Sequence, residues 1–290
     1  MQVFASTTCL GIGRTDLGEV LPRLADLPID GVELGSTHVW RADLDQIVTR
    51  SGLSRIVTHN YFPPAPEELV INIASADSAI RQASIEHARK CIDFASRCGA
   101  ELYTIHPGFM APTAVAPEAR SRAVAFDFEF LGDTALHQDS FGLMREALRE
   151  LLSYARVAGV RLAIETEGSV TRPGMLLMEK PEEYHRLYNE VGDELLLNFN
   201  LAHSSLAASV HGFNLVDFIN EFSPFFAAVE ISHNNGEQDE HLPLVSGSYV
   251  FDWTDLLPDV PLILEFREAS IEDISASVEM LRSCEASVIS

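Results

Sequence analysis

Short apolar runs alternate with longer amphipathic stretches along most of this chain. The runs are QVFAS (2–6), GVELG (31–35), RIVTH (55–59), ELYTIH (101–106), RLAIET (161–166), LLLNFN (195–200), FAAVEIS (226–232) and PLILEF (261–266). Each has the length of a strand, and several are apolar almost throughout, as strands buried on both faces of a parallel sheet are. Between them apolar residues recur at spacings of three and four, most clearly over 74–98, 141–158 and 271–284, which predicts helices. Gly99 and Gly159 stand where two of these stretches give way to the next run, the position at which glycine ends a helix. Eight strands alternating with seven good helical segments and one poor one predict parallel pairing and closure into an α/β (β/α)8 barrel. An open doubly wound sheet normally carries a Gly-rich phosphate loop after its first strand, and GIG at 11–13 is too short to be one.

No linker or charge run interrupts this alternation, so residues 1–290 read as one barrel domain. The segment near 108–139, after the fourth strand, is long for a loop in a compact domain. Such loops are usually functional or disordered, and its place next to His106 makes it a candidate lid or substrate wall.

Composition narrows the function classes. The 290 residues are 47% hydrophobic, enough for one large core, yet no run of about 18 apolar residues suggests a membrane span. The opening MQVFASTTCLG lacks the basic-then-apolar pattern of a signal peptide. Cys9, Cys91, Cys98 and Cys284 form no CxxC pair, so buried inert thiols and a cytoplasmic setting are expected. Forty-three acidic residues against 20 basic give a formal charge of −23, which opposes nucleic acid and anionic membranes as partners. Small neutral or cation-chelating molecules fit this balance better.

The polar residues that break the apolar pattern fall mostly at the C-terminal ends of the runs, where barrels of this class place their chemistry. They are Glu33; His59 and Asn60; His106; Glu165 and Glu167; Asn198 and Asn200, with His203 just beyond; Glu230, followed by His233; and Glu265. Carboxylates avoid apolar interiors unless paired or metal-bound, and Glu165 and Glu265 sit inside apolar runs. Several carboxylates converging on one barrel mouth repel one another, and a divalent cation relieves that. Imidazoles beside them complete a mixed N/O set suited to zinc, manganese or iron. In HNNGEQDEHLPL (233–244), Asp239 and His241 are two apart and point the same way in an extended loop, next to His203 from the neighbouring strand. Trp40, Tyr61, Phe62 and Trp253 follow strand ends or lie in loops, where aromatic rings stack on a substrate or pack the rim. His87, His137, His185 and His211 fall on helical stretches and read as surface or capping residues.

THN at 58–60, IHPG at 105–108, IETEG at 164–168, NLAH at 200–203, HNNGEQDEHLPL and LEF at 264–266, in this order and spacing, resemble the xylose isomerase-like TIM barrel superfamily. That superfamily includes sugar and sugar-phosphate isomerases and epimerases, and the type IV endonucleases that cut DNA at abasic sites. The resemblance runs from GVELG through ILEF. In the isomerases and epimerases it implies one metal held by a fifth-strand Glu, a sixth-strand Asp, a seventh-strand His and an eighth-strand Glu. Those positions here read Glu165, Asn200, Glu230 and Glu265, so two of the four depart from the family pattern. The endonucleases imply further sites at His59 and His106, and at His203, Asp239 and His241.

Under the resemblance the expected activity is a sugar or sugar-phosphate isomerase or epimerase of carbohydrate metabolism. It would work through an enediolate, with Glu165 and Glu265 as acid and base and with one to three Zn, Mn or Mg ions. Glu33, His233 and Trp40 are the expected substrate contacts. A di- or trinuclear zinc phosphoesterase is the alternative reading, and a non-catalytic metal-binding barrel the third. A homo-oligomer is compatible with the resemblance.

Overall fold

A computed structural model describes residues 1–11, 15–36, 38–67, 69–115, 128–130, 135–171 and 174–288. Strands β1 (Gln2–Ser6), β2 (Gly31–Leu34), β3 (Ile56–His59), β4 (Leu102–Ile105), β5 (Arg161–Glu165), β6 (Leu196–Asn200), β7 (Phe226–Ile231) and β8 (Pro261–Leu264) pair in parallel and in sequence order, and β8 closes on β1. Every one of the eight runs is a barrel strand.

Around the barrel lie α1 (Leu17–Ala25), α2 (Leu44–Arg50), α3 (Ser78–Cys98), α4 (His137–Ala158), α5 (Pro181–Val191), α6 (Leu201–His211), α7 (Leu215–Phe222) and α8 (Ile271–Val288). The poor helical segment is the β7–β8 connection, which holds two 3-10 turns, Tyr249–Asp252 and Thr254–Leu256. Gly99 and Gly159 end α3 and α4 in the left-handed conformation, each with φ 73°, as their places in the sequence predict. Helix α3 starts at Ser78 rather than near 74 because Asp77 caps it, accepting from the backbone of Ala79 and Ile80.

The strand residues divide by parity, as side chains on a pleated strand must. Val3, Leu34, Tyr103, Leu162, Phe199, Val229 and Leu264 belong to the large core beneath the helices. Phe4, Val57, Leu102, Ala163, Ala228 and Ile263 form a smaller apolar cluster that fills the barrel floor. Two residues further along each strand the same inward face turns polar: Ser6, His59, Thr104, Glu165, Glu230 and Glu265, with Glu33 paired to Ser6 and Asn198 to Glu165. A dry floor under a polar layer is therefore written into the period of the strands. Gly31 is part of this floor, because a Cβ there would stand 2.4 Å from the Phe4 ring.

A bulge between Leu197 and Asn198 sets Asn198 opposite Ala228 and Asn200 opposite Glu230. It fixes Glu230, not His233, as the strand-7 residue in the polar layer. The long segment after β4 contains a two-stranded hairpin, Thr113–Val115 with Phe128–Phe130. The candidate lid over 108–139 otherwise lies largely outside the described residues. Its base is tied to the loop after β5 by the hydrogen bond from Met110 N–H to the Met175 carbonyl.

His87 corrects its expected surface role. It is buried on the inner face of α3 beside Tyr61, and burial pushes its pKa down to about 4. Cys9 and Cys91 are buried, free thiols as expected, while Cys98 and Cys284 are only partly covered. Among the described residues, no helix is long and apolar enough to cross a membrane.

Candidate metal centre

The polar layer gathers the predicted residues into three groups of potential ligands, the ligand atoms of each lying within 4.8 Å of one another. One is His59, His106 and Glu165; the second is His203, Asp239 and His241; the third, deepest, is Glu33, His59 and Glu230. Glu165 connects the first two. Its Oε2 stands 3.5 Å from His106 Nε2 and 3.7 Å from His59 Nδ1, while its Oε1 is 3.2 Å from His203 Nδ1.

The first group has the spacing of a cation site. Bonds of about 2.1 Å in tetrahedral array hold ligand atoms about 3.4 Å apart. The 3.5 and 3.7 Å separations match that and are too long for good hydrogen bonds. Glu165 Oε2 is buried and has no hydrogen-bond partner among the described residues, which an ion would supply. The Thr104 hydroxyl meets His59 Nδ1 at 2.7 Å, so an ion on that nitrogen displaces this contact. On its other side the His106 ring is held by Glu167, 2.6 Å from Nδ1, the carboxylate–imidazole arrangement that orients metal-binding histidines.

The second group is contracted around Asp239. Its Oδ2 lies 2.6 Å from His241 Nε2 and 3.2 Å from His203 Nε2. His241 also contacts Glu265 Oε2 at 3.3 Å. It adopts a left-handed backbone with φ 50°, strained for a side chain and typical of a residue held for function.

Charge is balanced inside this layer by protons. Burial opposes ionising Glu165, but His106, the hydrogen bond to His203 and then His59 outweigh it and hold the carboxylate well below its usual range. Burial likewise opposes protonating His106, and Glu165 and Glu167 overcome it, raising the imidazole to about 9. For His241, burial is overcome by Asp239 and then Glu265, again to about 9. His59 stays neutral because burial lowers it more than Glu165 raises it. An ion bound by these histidines must expel their protons, so loading should release protons near neutral pH.

Glu33 and Glu230 behave in the opposite way. Burial first, then the charge of Glu265, raises Glu33 to about 8. Burial and the charges of Glu165 and Glu265 raise Glu230 well above its usual value. A carboxyl raised in the fold stabilises it fully below its unfolded value of 4.5, and this contribution is lost as pH climbs to about 8. We predict that Glu33→Gln, which keeps the neutral shape, matches wild type near pH 4 in chelator. At pH 8 the variant should be the more stable by roughly 3–5 kcal/mol. Melting temperatures that run parallel with pH in the two proteins would refute this.

Asn200 closes the layer. It caps α6, its Oδ1 accepting from His203 N–H at 3.2 Å, and its Nδ2 faces Glu230, Glu165 and Glu265 at 3.0, 3.1 and 3.3 Å. The structure therefore turns nitrogen, not oxygen, toward the position where the resemblance implies a ligand. Asn198 adds a second amide, donating to Glu230 Oε1 at 2.6 Å.

Two expected substrate contacts, Trp40 and His233, stand outside these ligand groups. Trp40 stands half exposed in the loop before α2. His233 is in none of the three groups; its backbone exchanges both hydrogen bonds with Leu242, closing the loop that carries Asp239 and His241. Glu167, noted at the end of its run but given no role, and Thr104, outside the expected set, support the site. The inward parity of Leu102, Thr104 and His106, and of Ala163, Glu165 and Glu167, is the signal that marks them.

Gly168 guards the packing of this site. A Cβ there would fall 2.0 Å from the His203 carbonyl oxygen and 2.9 Å from Ala207 N, both on the α6 backbone that carries His203. Overpacking against backbone has no flexible side chain to absorb it. We predict that Gly168→Ala costs about 3 kcal/mol or more, read as a fall in melting temperature, and weakens metal binding by shifting His203. An unchanged melting temperature would show that the β5–α6 contact gives way freely.

The family described as xylose isomerase-like TIM barrel matches residues 21–284. An uncharacterized protein of Methanocaldococcus jannaschii is 24% identical over 217 residues, which cover 73% of this chain and 72% of its own. Among solved structures, a D-tagatose 3-epimerase-like protein superposes with a TM-score of 0.73 at 18% identity, over 99% of this chain and 98% of that one. A protein from Thermus thermophilus, described as soaked with ZnCl2, superposes with a TM-score of 0.66 at 20% identity, over 99% of both chains. At these identities the two structures are similar in fold.

Proposed function

This chain belongs to the xylose isomerase-like TIM barrel family, and within it we propose that the protein is a divalent-metal-dependent isomerase or epimerase of a small sugar or sugar phosphate. The observation that carries this reading is Glu165. It is a buried, ionised carboxylate with one oxygen unpartnered among the described residues and aimed between two imidazoles, facing a second ionised carboxylate, Glu265, across Asn200. The epimerase-like structural neighbour and the acidic composition of the chain support the same reading.

His59, His106 and Glu165 would hold the ion, with His203, Asp239 and His241 as a second binding group. A cation there would supply a Lewis acid for a sugar carbonyl and for charge developing on its oxygen. Glu265 is the group free to move a proton. Its side chain is partly exposed and is held only at 3.3 Å by the Asn200 amide and by His241, so it takes the proton from the carbon next to the carbonyl and returns it. Glu167 holds His106 in the orientation it needs.

The experiment is solvent exchange. Metal-loaded protein in deuterated water, given ketoses, aldoses and their phosphates, should place deuterium on the carbon beside the carbonyl, and chelator should stop it. Absence of exchange with every sugar, together with cleavage of a chromogenic phosphodiester, would favour a second reading. That reading is a hydrolase of small phosphoesters, and the neighbouring His59–His106–Glu165 and His203–Asp239–His241 groups, joined by the contact of Glu165 with His203 Nδ1, are what support it. The −23 charge argues against DNA as its substrate.

A further inference from the structure

Between the His59–His106–Glu165 group and the His203–Asp239–His241 group lies a point on which three carboxylates converge: Glu165 from β5, Glu230 from β7 and Glu265 just past β8. At that point stands the side-chain nitrogen of Asn200, 3.1, 3.0 and 3.3 Å from them. The orientation of the amide is forced by chemistry. Its oxygen is needed to accept from His203 N–H at the start of α6, and only its nitrogen can donate to carboxylates. A flipped amide would set a donor against the His203 N–H and its oxygen against the ionised carboxylates of Glu165 and Glu265. The residue is fully buried and its backbone N–H is tied to Thr166 Oγ1 at 2.9 Å, so it has nowhere to swing.

This arrangement does not fit a metal ion. An ion bound to these oxygens at about 2.0–2.2 Å would crowd an amide nitrogen that has no lone pair to offer. Two amide hydrogens do electrostatically, and incompletely, what a cation would do. We propose that Asn200 is a built-in substitute for a cation: it closes the centre of the site to metal, limits the chain to the two flanking ions, and leaves a third position that a single substitution opens.

In Asn200→Asp the residue remains a good helix cap, because aspartate accepts from the first helical N–H groups as well as asparagine does. Its second oxygen then replaces the nitrogen among three other carboxylates. Four acidic groups around one point repel unless protons neutralise them or a divalent ion joins them, and saturating zinc displaces such protons. The substitution should therefore add an ion.

The inference rests on the flanking groups of the proposed function, but its test separates the two. Wild type and Asn200→Asp, saturated with Zn2+ and freed of excess, are compared by metal content per chain using mass spectrometry. The expected result is two ions for wild type and three for the variant. Three ions in wild type, or a folded variant with no more metal than wild type, would overturn the inference. If wild type takes up no zinc while the variant takes up one, the amide substitute stands and the metal-dependent function falls. Should the variant fail to fold even with zinc present, anomalous diffraction at the zinc edge from soaked wild-type crystals decides. Density at the flanking groups with none within bonding distance of Glu230 supports the inference, and a peak between Glu165, Glu230 and Glu265 refutes it.

Discussion

Replacing Glu165 by glutamine is expected to cost at least about a thousandfold in kcat and to empty the His59–His106 group of metal. Glutamine keeps the shape and removes the charge. The geometry gives that charge more work than any other in the barrel. One oxygen faces His59 and His106 and the other faces His203 and Asn200, so a single carboxylate serves both flanking groups. Its loss also removes the first of the carboxylates that raise His106, so in metal-free protein the imidazole should titrate well below its value of about 9. Metal content, turnover and the His106 titration followed by NMR should change together. A variant that keeps its metal and its rate would show that Glu165 is only a buried partner of the histidines, and the proposed centre would have to move.

The parity of the strands makes most of this site legible in the amino-acid sequence. Inward positions read apolar and then polar along each run, so the floor and the reactive layer above it follow from a period of two, and the strand ends supply the ligand types. Three features are not legible there, each for a physical reason. A bulge at Leu197–Asn198 decides whether Glu230 or His233 enters the layer, because a slip of one residue turns every later side chain to the other face. Nothing in the local sequence announces that bulge. The amide of Asn200 is oriented by a helix cap on one side and by strands β5 and β7 and the end of β8 on the other, a tertiary arrangement that residue type alone does not encode. The hairpin at Thr113–Val115 and Phe128–Phe130 has strands of three residues, too short for periodicity to register. His87 departs from its expected place because a histidine on an amphipathic helix reads as polar, whereas α3 uses its neutral ring to pack.

Glu265→Gln should separate the two roles that the site combines. It is in none of the three ligand groups formed by the described residues, and its contacts to Asn200 and His241 are both at the long limit of a hydrogen bond. Burial opposes its ionisation, but His241 overcomes this and keeps the carboxylate charged, so a base is present at neutral pH. A base removed from an otherwise intact site costs roughly 10²–10⁴-fold in kcat, and metal content should remain at the wild-type level. KM should change little, since glutamine still fills the position and the proton transfer belongs to the transition state. Deuterium exchange into the sugar should fall in parallel with kcat. Loss of metal along with rate would instead make Glu265 a ligand like Glu165. An unchanged rate would move the proton transfer to another partly exposed group of the layer, first of all His106. The contrast between the two glutamine variants is therefore the sharpest test of the mechanism: one should fail for want of an ion, the other with its ion in place.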